Sequence, residues 1–547
     1  MTEYLEAAML VIRASIAAFL VSLSPSLFAA ESTSTEARID AWIARMTPRE
    51  RIAQLLCVGF SGIRVDEELR YLVSEVGVGA IALYAQNIQS PQQLRELTAG
   101  IRALGATRVP PFIAVDQEGG EVTRIFHASS NAPGNMALGA TRSSELSYAT
   151  GRAIGRDLRH FGITMNFAPV LDMATTPRSA INIRSFGSDP DLVSRLGSAF
   201  IRGQSEAGIA SVPKHFPGIG DAEVDSHRGL PILDADAETR RRHMNVFRAA
   251  LAHADGVMIG HVLQPSLDRV NPATLSPAVM SVLRRDLRYD GLLVTDALQM
   301  SAIDRSAGIG RVAVRSILAG ADLVIVLWHD RDRQEVISAL EAAYASGELT
   351  DERLRASLRR ILRVKLRVDV WRPAAEEPAT ADVAAEVASK AITLLRDRRK
   401  LIPLKTRPDD RIVYVGPVGA IADTVATKHA LHPPARLTEP MIGTWSKRAR
   451  ALAGDATLIV GVAQNRNQMK ILQAIRRVRP KARFLLISLG SPDLIRDLPD
   501  ADAYVCAYGF LDVSQQAVAR VLRGELVASG RLPVDLPGLF TFGAGAR

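Results

Sequence analysis

The chain has 547 residues, of which 47% are hydrophobic and 23% charged, and 67 lysines and arginines against 58 aspartates and glutamates give a formal net charge of +9. These are the proportions of an ordinary globular protein, they exclude a disordered or fibrous chain, and the length leaves room for two or three domains. The arginines are scattered, Arg476, Arg477 and Arg479 among them, and no nucleic-acid motif accompanies them, so the charge reflects an arginine-rich composition rather than a nucleic-acid partner.

In chain order, Ala7 to Leu23 is apolar apart from Arg13 and small hydroxyl residues, and Leu27-Phe28-Ala29-Ala30 leads into the polar Glu31-Ser32-Thr33-Ser34. Residues 1–30 therefore read as a secretory signal cleaved near Ala29 or Ala30 or, uncleaved, as an N-terminal membrane contact. Glu3 and Glu6 are unusual for a signal, and a start at Met9 would leave Arg13 as its basic flank. Either way the body of the protein is expected outside the cytoplasm, periplasmic or extracellular. No later segment is apolar enough to span a bilayer.

Thr47-Pro48-Arg49-Glu50 opens a helix, with threonine as cap, proline at the first helical position and glutamate closing the capping box. Strands and helices then alternate. Strands are predicted at Leu55–Phe60, Ala80–Ala85, Pro111–Asp116, Thr164–Val170, Ile209–Lys214, Gly256–His261, Leu292–Asp296 and Asp322–Leu327. Eight β/α repeats over residues 36–372 predict a TIM (β/α)8 barrel. Asp116, Asp172, Lys214, His261 and Asp296 all fall at or just past the C-terminal ends of these strands, the rim on which barrels build active sites. The basic segment Arg359–Trp371 reads as a helix closing this domain, and residues 373–381 as a Pro/Ala/Glu linker. Residues 382–547 carry a second α/β pattern, a smaller doubly wound domain. Its strands are predicted at Ile412–Val415, Leu458–Val462, Phe484–Leu489 and Tyr504–Tyr508, with a helix at Ser514–Arg523 and a tail at Ser529–Val534. Cys57 and Cys506 fall in buried strands of different domains, which predicts two free thiols.

The densest chemistry lies in Lys214-His215-Phe216-Pro217-Gly218-Ile219-Gly220, followed by Asp225-Ser226-His227. The apolar run Gly208–Val212 reads as a strand, and Pro217, Gly218 and Gly220 then specify a loop. A carboxylate bonded to one imidazole nitrogen fixes the tautomer and leaves the other free to move a proton, which gives the Asp225/His227 pair a chemical logic. An isolated Asp-Ser-His would more often be a solvated loop; the lysine-histidine element before it shifts the balance. Asp296 ends an apolar strand, where an acid is costly without partners or purpose, the plainer alternative being a helix cap. The histidines lack HExxH or paired Cys/His spacing, so no metal site is predicted.

The Lys-His-Phe-Pro-Gly element, the glycine two residues on and the Asp-Ser-His triplet together resemble the signature of glycoside hydrolase family 3, in its β-N-acetylhexosaminidase branch. One position departs, Ile219 standing where many members have histidine. The resemblance extends over roughly residues 40 to 540. Ala391–Leu395 through Leu401–Leu404 match the family's entry into its second domain. It implies a carbohydrate substrate and a two-step covalent reaction that needs no cofactor. Asp296 would be the nucleophile and His227, held by Asp225, the acid and then base, with Asp221 and Glu223 as lower-ranked rivals. Asp116 and Arg124 of the Asp-Gln-Glu-Gly-Gly element, Arg184 of Asn182-Ile183-Arg184-Ser185-Phe186-Gly187, and Lys214 and His215 would bind sugar hydroxyls. His261 is either a rim residue or a satisfied buried histidine. The leading expectation is an exo-acting retaining β-N-acetylglucosaminidase working on peptidoglycan fragments or other amino-sugar glycosides. A β-glucosidase or β-xylosidase of the same family, and a non-catalytic wall-binding protein on the same fold, are the alternatives.

Overall fold

The computed structural model describes residues 35–546 except 107, 127, 129, 178, 376, 380 and 381; the predicted signal or anchor lies outside the described residues. Eight parallel strands make the first sheet: β1 Leu56–Gly59, β2 Ala80–Leu83, β3 Phe112–Val115, β4 Met165–Asn166, β5 Ala210–Ser211, β6 Gly256–Ile259, β7 Leu292–Ala297 and β8 Leu323–Val326. Their order is β5-β4-β3-β2-β1-β8-β7-β6. The ring closes where the chain beyond β5 meets β6. Phe216 N–H donates to Met258 O at 2.8 Å, Gly260 N–H to Phe216 O at 2.8 Å, and Met258 N–H to Pro213 O at 2.9 Å. The fold is therefore the expected TIM barrel.

β4 and β5 are shorter than predicted because Pro169 and Pro213 have no N–H for the ladder. The chain stays extended past them, Lys214 N–H donating to Pro169 O at 3.0 Å and Leu171 N–H to Lys214 O at 2.6 Å. That pairing carries Lys214 and Asp172 to the rim side by side. The helix at Pro48–Ala53 has both bonds of the predicted capping box.

The basic segment is the second half of a longer helix, Asp351–Val368, capped by Thr350. Its arginines are matched to acids of its own first turn and of the surrounding barrel domain. Arg353 and Arg360 reach buried Asp322, Arg355 pairs with Asp351, Arg359 and Arg363 with Glu36, and Arg367 with Asp255. Lys365 on the same helix is fully buried at the N-terminal end of the strands, its Nζ donating to Gln54 Oε1 and Pro110 O at 2.8 Å each and lying 5.2 Å from the Phe112 ring centre.

The second sheet contains β9 Thr393–Asp397, β10 Ile412–Val415, β11 His429–Leu431, β12 Leu458–Ala463, β13 Arg483–Ser488 and β14 Ala503–Cys506. Its order is β11-β10-β12-β13-β14-β9, parallel except for β9, which runs antiparallel to β14. This is a doubly wound domain, as expected, with two additional edge strands, β9 and β11. Both edges are only partly buried, so they lack the continuous apolar run that marks the central strands. Cys57 and Cys506 are free and buried.

The tail after the last helix, Asp512–Arg523, returns to the barrel. Arg531 N–H donates to Ala140 O at 2.9 Å and Ser188 N–H to Pro533 O at 3.0 Å. Gly187 has φ 154, and a Cβ there would lie 2.3 Å from Pro533 O, so only glycine lets the two backbones meet.

Burial holds the pKa of Lys365 well below the ordinary lysine value. Between that depressed value and about 10.4 for the unfolded chain, the unfolded state binds more protons and stability rises with pH, by at most about 1.4 kcal/mol per pH unit for one group. Lys365→Met should flatten the gain in unfolding free energy between pH 7 and pH 9, measured by urea titration. Equal slopes in the two proteins would show that the folded lysine is charged.

Candidate active site

The barrel strands deliver their polar residues to one cavity of about 450 Å³ at the C-terminal rim. Asp116, Glu118 and Arg124 come from the loop after β3, Arg184 from the loop after β4, Lys214, His215 and His227 from the segment after β5, and Asp296 from the end of β7; all line it.

At its inner wall four charges interlock. Lys214 Nζ lies 2.5 Å from Asp116 Oδ1 and 2.8 Å from Glu118 Oε1. Arg184 grips Glu118 in a bidentate pair, Nη2 to Oε1 at 2.7 Å and Nε to Oε2 at 2.9 Å. Burial alone would raise the Glu118 carboxyl; Arg184 and Lys214 outweigh it and hold it well below the usual carboxylate range. Burial likewise opposes the Lys214 and Arg184 cations, and Asp116 and Glu118 reverse this for Lys214, as Glu118 first of all does for Arg184. Glu118 and its two cations thus stay ionised in a buried wall, with the Asp116 carboxyl against Lys214. Such a wall can both donate to and accept from sugar hydroxyls.

His215 completes this wall. Its Nδ1 is 2.6 Å from Asp172 Oδ2, and Asp172 also accepts from Ile219 N–H at 2.8 Å. Asp172 is fully buried, so it orients the ring and the loop without itself facing the cavity. Ile219 is buried, and its backbone fulfils this bond whatever side chain it carries.

Asp296 faces the wall. Burial would raise its carboxyl, but His261, His215, the Ala297 N–H at 2.8 Å and Lys214 together bring it below the ordinary aspartate value. It is an ionised carboxylate at neutral pH, suited to attack rather than to proton donation. His227 has its Nδ1 2.8 Å from Asp225 Oδ1, and Asp225 also accepts the His227 backbone N–H at 2.9 Å. Burial raises the Asp225 carboxyl less than these bonds lower it. The pair is open to solvent, and its ring has Nε2 free to move a proton. Ala302 N–H donates to Ser226 O at 3.2 Å, tying this loop to the segment that follows Asp296.

Arg124 has its guanidinium over the Tyr84 ring at 5.7 Å, and its Nε makes no hydrogen bond to the described residues. The rivals fall elsewhere. Asp221 is bound to His243 Nε2 at 2.9 Å and to the Thr175 hydroxyl, and Glu223 is exposed and does not line the cavity. His261 is the satisfied buried histidine, bonded through Nδ1 to Thr274 Oγ1 at 2.7 Å and through Nε2 to Ala297 O at 2.9 Å. Several lining residues had no role in the sequence reading, Glu118, Tyr84 and Trp328 among them. The two aromatics meet edge to face, with ring centres 4.5 Å apart. Tyr84 directly follows β2 and Trp328 lies two residues past β8, and that position is the signal that could have found them.

Residues 47–364 match the glycosyl hydrolase family 3 N terminal domain. The chain belongs to glycoside hydrolase family 3. It is accordingly a glycoside hydrolase, and among its relatives in the family is "Beta-hexosaminidase A" of Pseudoalteromonas piscicida, 32% identical over 366 residues, which cover 60% of this chain and 61% of that protein. "Beta-hexosaminidase LpqI" of Mycobacterium tuberculosis strain H37Rv is 34% identical over 337 residues, 59% of this chain and 84% of that one. A family 3 β-N-acetylglucosaminidase from Paenibacillus sp. str. FPU-7, known in three dimensions, matches at 33% identity with a TM-score of 0.83, covering 90% of this chain and 99% of that chain.

Glu118→Gln keeps the shape of the wall and removes the charge between two buried cations. Loss of a charge-assisted hydrogen bond is worth about 1.5–3 kcal/mol. KM for an aryl glycoside should therefore rise roughly ten- to hundred-fold, with a smaller fall in kcat, in steady-state kinetics. An unchanged KM would separate this network from sugar binding.

Proposed function

We propose that this chain is an exo-acting, retaining β-N-acetylglucosaminidase that releases terminal N-acetylglucosamine from peptidoglycan fragments or related amino-sugar glycosides outside the cytoplasm. One observation carries the reading: an ionised carboxylate, Asp296, and a carboxylate-oriented imidazole, His227, line the same cavity as the charged sugar-binding wall. The names of the relatives support the choice of sugar.

In the first step a carboxylate oxygen of Asp296 bonds to the anomeric carbon as the bond to the leaving oxygen breaks, and Nε2 of the protonated His227 gives that oxygen its proton. Asp225 stabilises the imidazolium and fixes which nitrogen carries the mobile proton. In the second step water attacks the anomeric carbon, His227 takes the water's proton, and the bond to Asp296 breaks. Asp116, Arg124, Arg184, Lys214 and His215 hold the sugar's hydroxyls.

The test is turnover of nitrophenyl glycosides that differ only at the 2-substituent, by wild type, Asp296→Asn and His227→Ala. The N-acetylglucosaminide should be the preferred substrate, and Asp296→Asn should abolish its turnover. His227→Ala should slow poor leaving groups by about two to four orders of magnitude and activated aryl glycosides much less. Equal losses on both leaving groups would remove His227 from the acid role; preference for the glucoside would redirect the substrate assignment.

The extracytoplasmic setting rests on the Ala7–Ala30 sequence. Edman sequencing of native protein should begin near Glu31, in a fraction outside the cytoplasm. Recovery of Met1 from cytosol would defeat it.

A further inference from the structure

A second cavity, of about 380 Å³, lies between the two domains. It opens at the carboxyl ends of β12, β13 and β14, lined there by Gln464, Ser491 and Phe510, and is closed from the barrel side by Glu121 and Asn182. The crevice outside the carboxyl ends of a doubly wound sheet is where such domains take ligands. By the same measure the catalytic cavity has about 450 Å³, so the two are of similar capacity. They share no lining residue, yet they share a partition. The Glu118–Arg124 loop presents Glu118 and Arg124 to the catalytic side and Glu121 to the other; the Asn182–Arg184 turn presents Arg184 and Asn182 likewise.

Three groups of the lining are chemically uncommitted. The Glu121 carboxylate and the side-chain amides of Asn182 and Gln464 make no hydrogen bond to the described residues. Gln464 is fixed in place even so, because its backbone lies against Gly490, where a Cβ would fall 2.1 Å from Gln464 O. Phe510 is partly exposed and offers a ring beside these groups. Arg466, by contrast, is already spent, with Nη2 2.5 Å from Asp493 Oδ2 and Nη1 3.2 Å from Asp497 Oδ1. Among the described lining residues, a phosphate or other anionic ligand would meet a neutralised guanidinium and the Glu121 carboxylate. A ligand rich in uncharged hydroxyls, with one apolar face for the ring, would satisfy what is left open.

We infer that the interdomain cavity is a second saccharide-binding site, formed jointly by the Phe510 and Gln464 loops and the Glu121 side of the catalytic partition. It does not depend on which glycoside the catalytic cavity cleaves. A sugar held there touches the reverse side of the two loops that carry Glu118 and Arg184.

The test is isothermal titration of N-acetylglucosamine, and separately glucose, into wild type, Asp116→Ala and Phe510→Ala, with circular dichroism melts to verify folding. At least one sugar should show two sites on wild type. Asp116→Ala should lose the catalytic one, and Phe510→Ala should weaken the other roughly five-fold or more while keeping the first, in line with an aromatic contact of about 1 kcal/mol. Gln464→Ala is the second variant if Phe510→Ala does not fold. Crystals of the wild-type protein soaked in each sugar give the direct answer, with density beside Phe510 expected. A single site, lost in Asp116→Ala and untouched in Phe510→Ala, with no density between the domains, would overturn the proposal. Failure to cleave N-acetylglucosaminides would sink the proposed activity and leave this site standing.

Discussion

A carboxylate taken out of water must find partners or lose its charge, and the catalytic rim of this protein is organised around one that has found two. Glu118 is buried, bridged by Arg184 on one side and Lys214 on the other, and Lys214 passes the interaction on to Asp116. These residues come from the loops after three different strands. Removing any one would leave an unbalanced buried charge, a situation that costs about 3–5 kcal/mol in comparable pairs. The network therefore fixes the relative positions of the three loops before any substrate arrives. Preorganised charges of this kind need no rearrangement when a sugar binds.

The opposite side of the cavity is built differently. Asp296 sits on a strand, where the backbone is rigid, and its charge is supported from several directions rather than by one tight ion pair. His227 sits on an open loop, its side chain about two-thirds exposed, and depends on Asp225 two residues away for its orientation. In the mechanism we propose, the group that bonds to carbon is placed with precision, and the group that passes protons to and from passing molecules is placed within reach of solvent.

Much of this could be read from the residues because buried parallel strands are continuous apolar runs, and the polar residue that interrupts each run marks the rim. Asp116, Lys214 and Asp296 are legible for that reason, and Asp225 with His227 for their short spacing. The partner relations are not. Glu118 lies inside a recognisable element, but nothing in one dimension tells that it will meet Arg184, sixty-six residues on. Asp172 looks like a further rim acid and instead braces His215 from beneath. His261 ends a strand just as Asp296 does, yet its ring turns inward to Thr274. The basic segment reads as a helix closing the barrel domain, but only the fold shows that Glu36, Asp255 and Asp322 lie against it. Edge strands β9 and β11 escape because an edge is half solvated and carries no apolar run.

The tail that returns to the barrel gives the molecule an order in time. The Arg184 turn is steadied by Asn135, whose Nδ2 donates to Arg184 O at 2.8 Å, and the helix Asn135–Thr141 is in turn held by Arg531 at Ala140, while Pro533 secures Ser188 just past the turn. A ribosome has made all eight barrel strands by Val326, but the clasp behind the Arg184 turn is made of residues that emerge some two hundred positions later. The nascent barrel thus carries Asp296 and His227 before the brace behind the Arg184 turn exists.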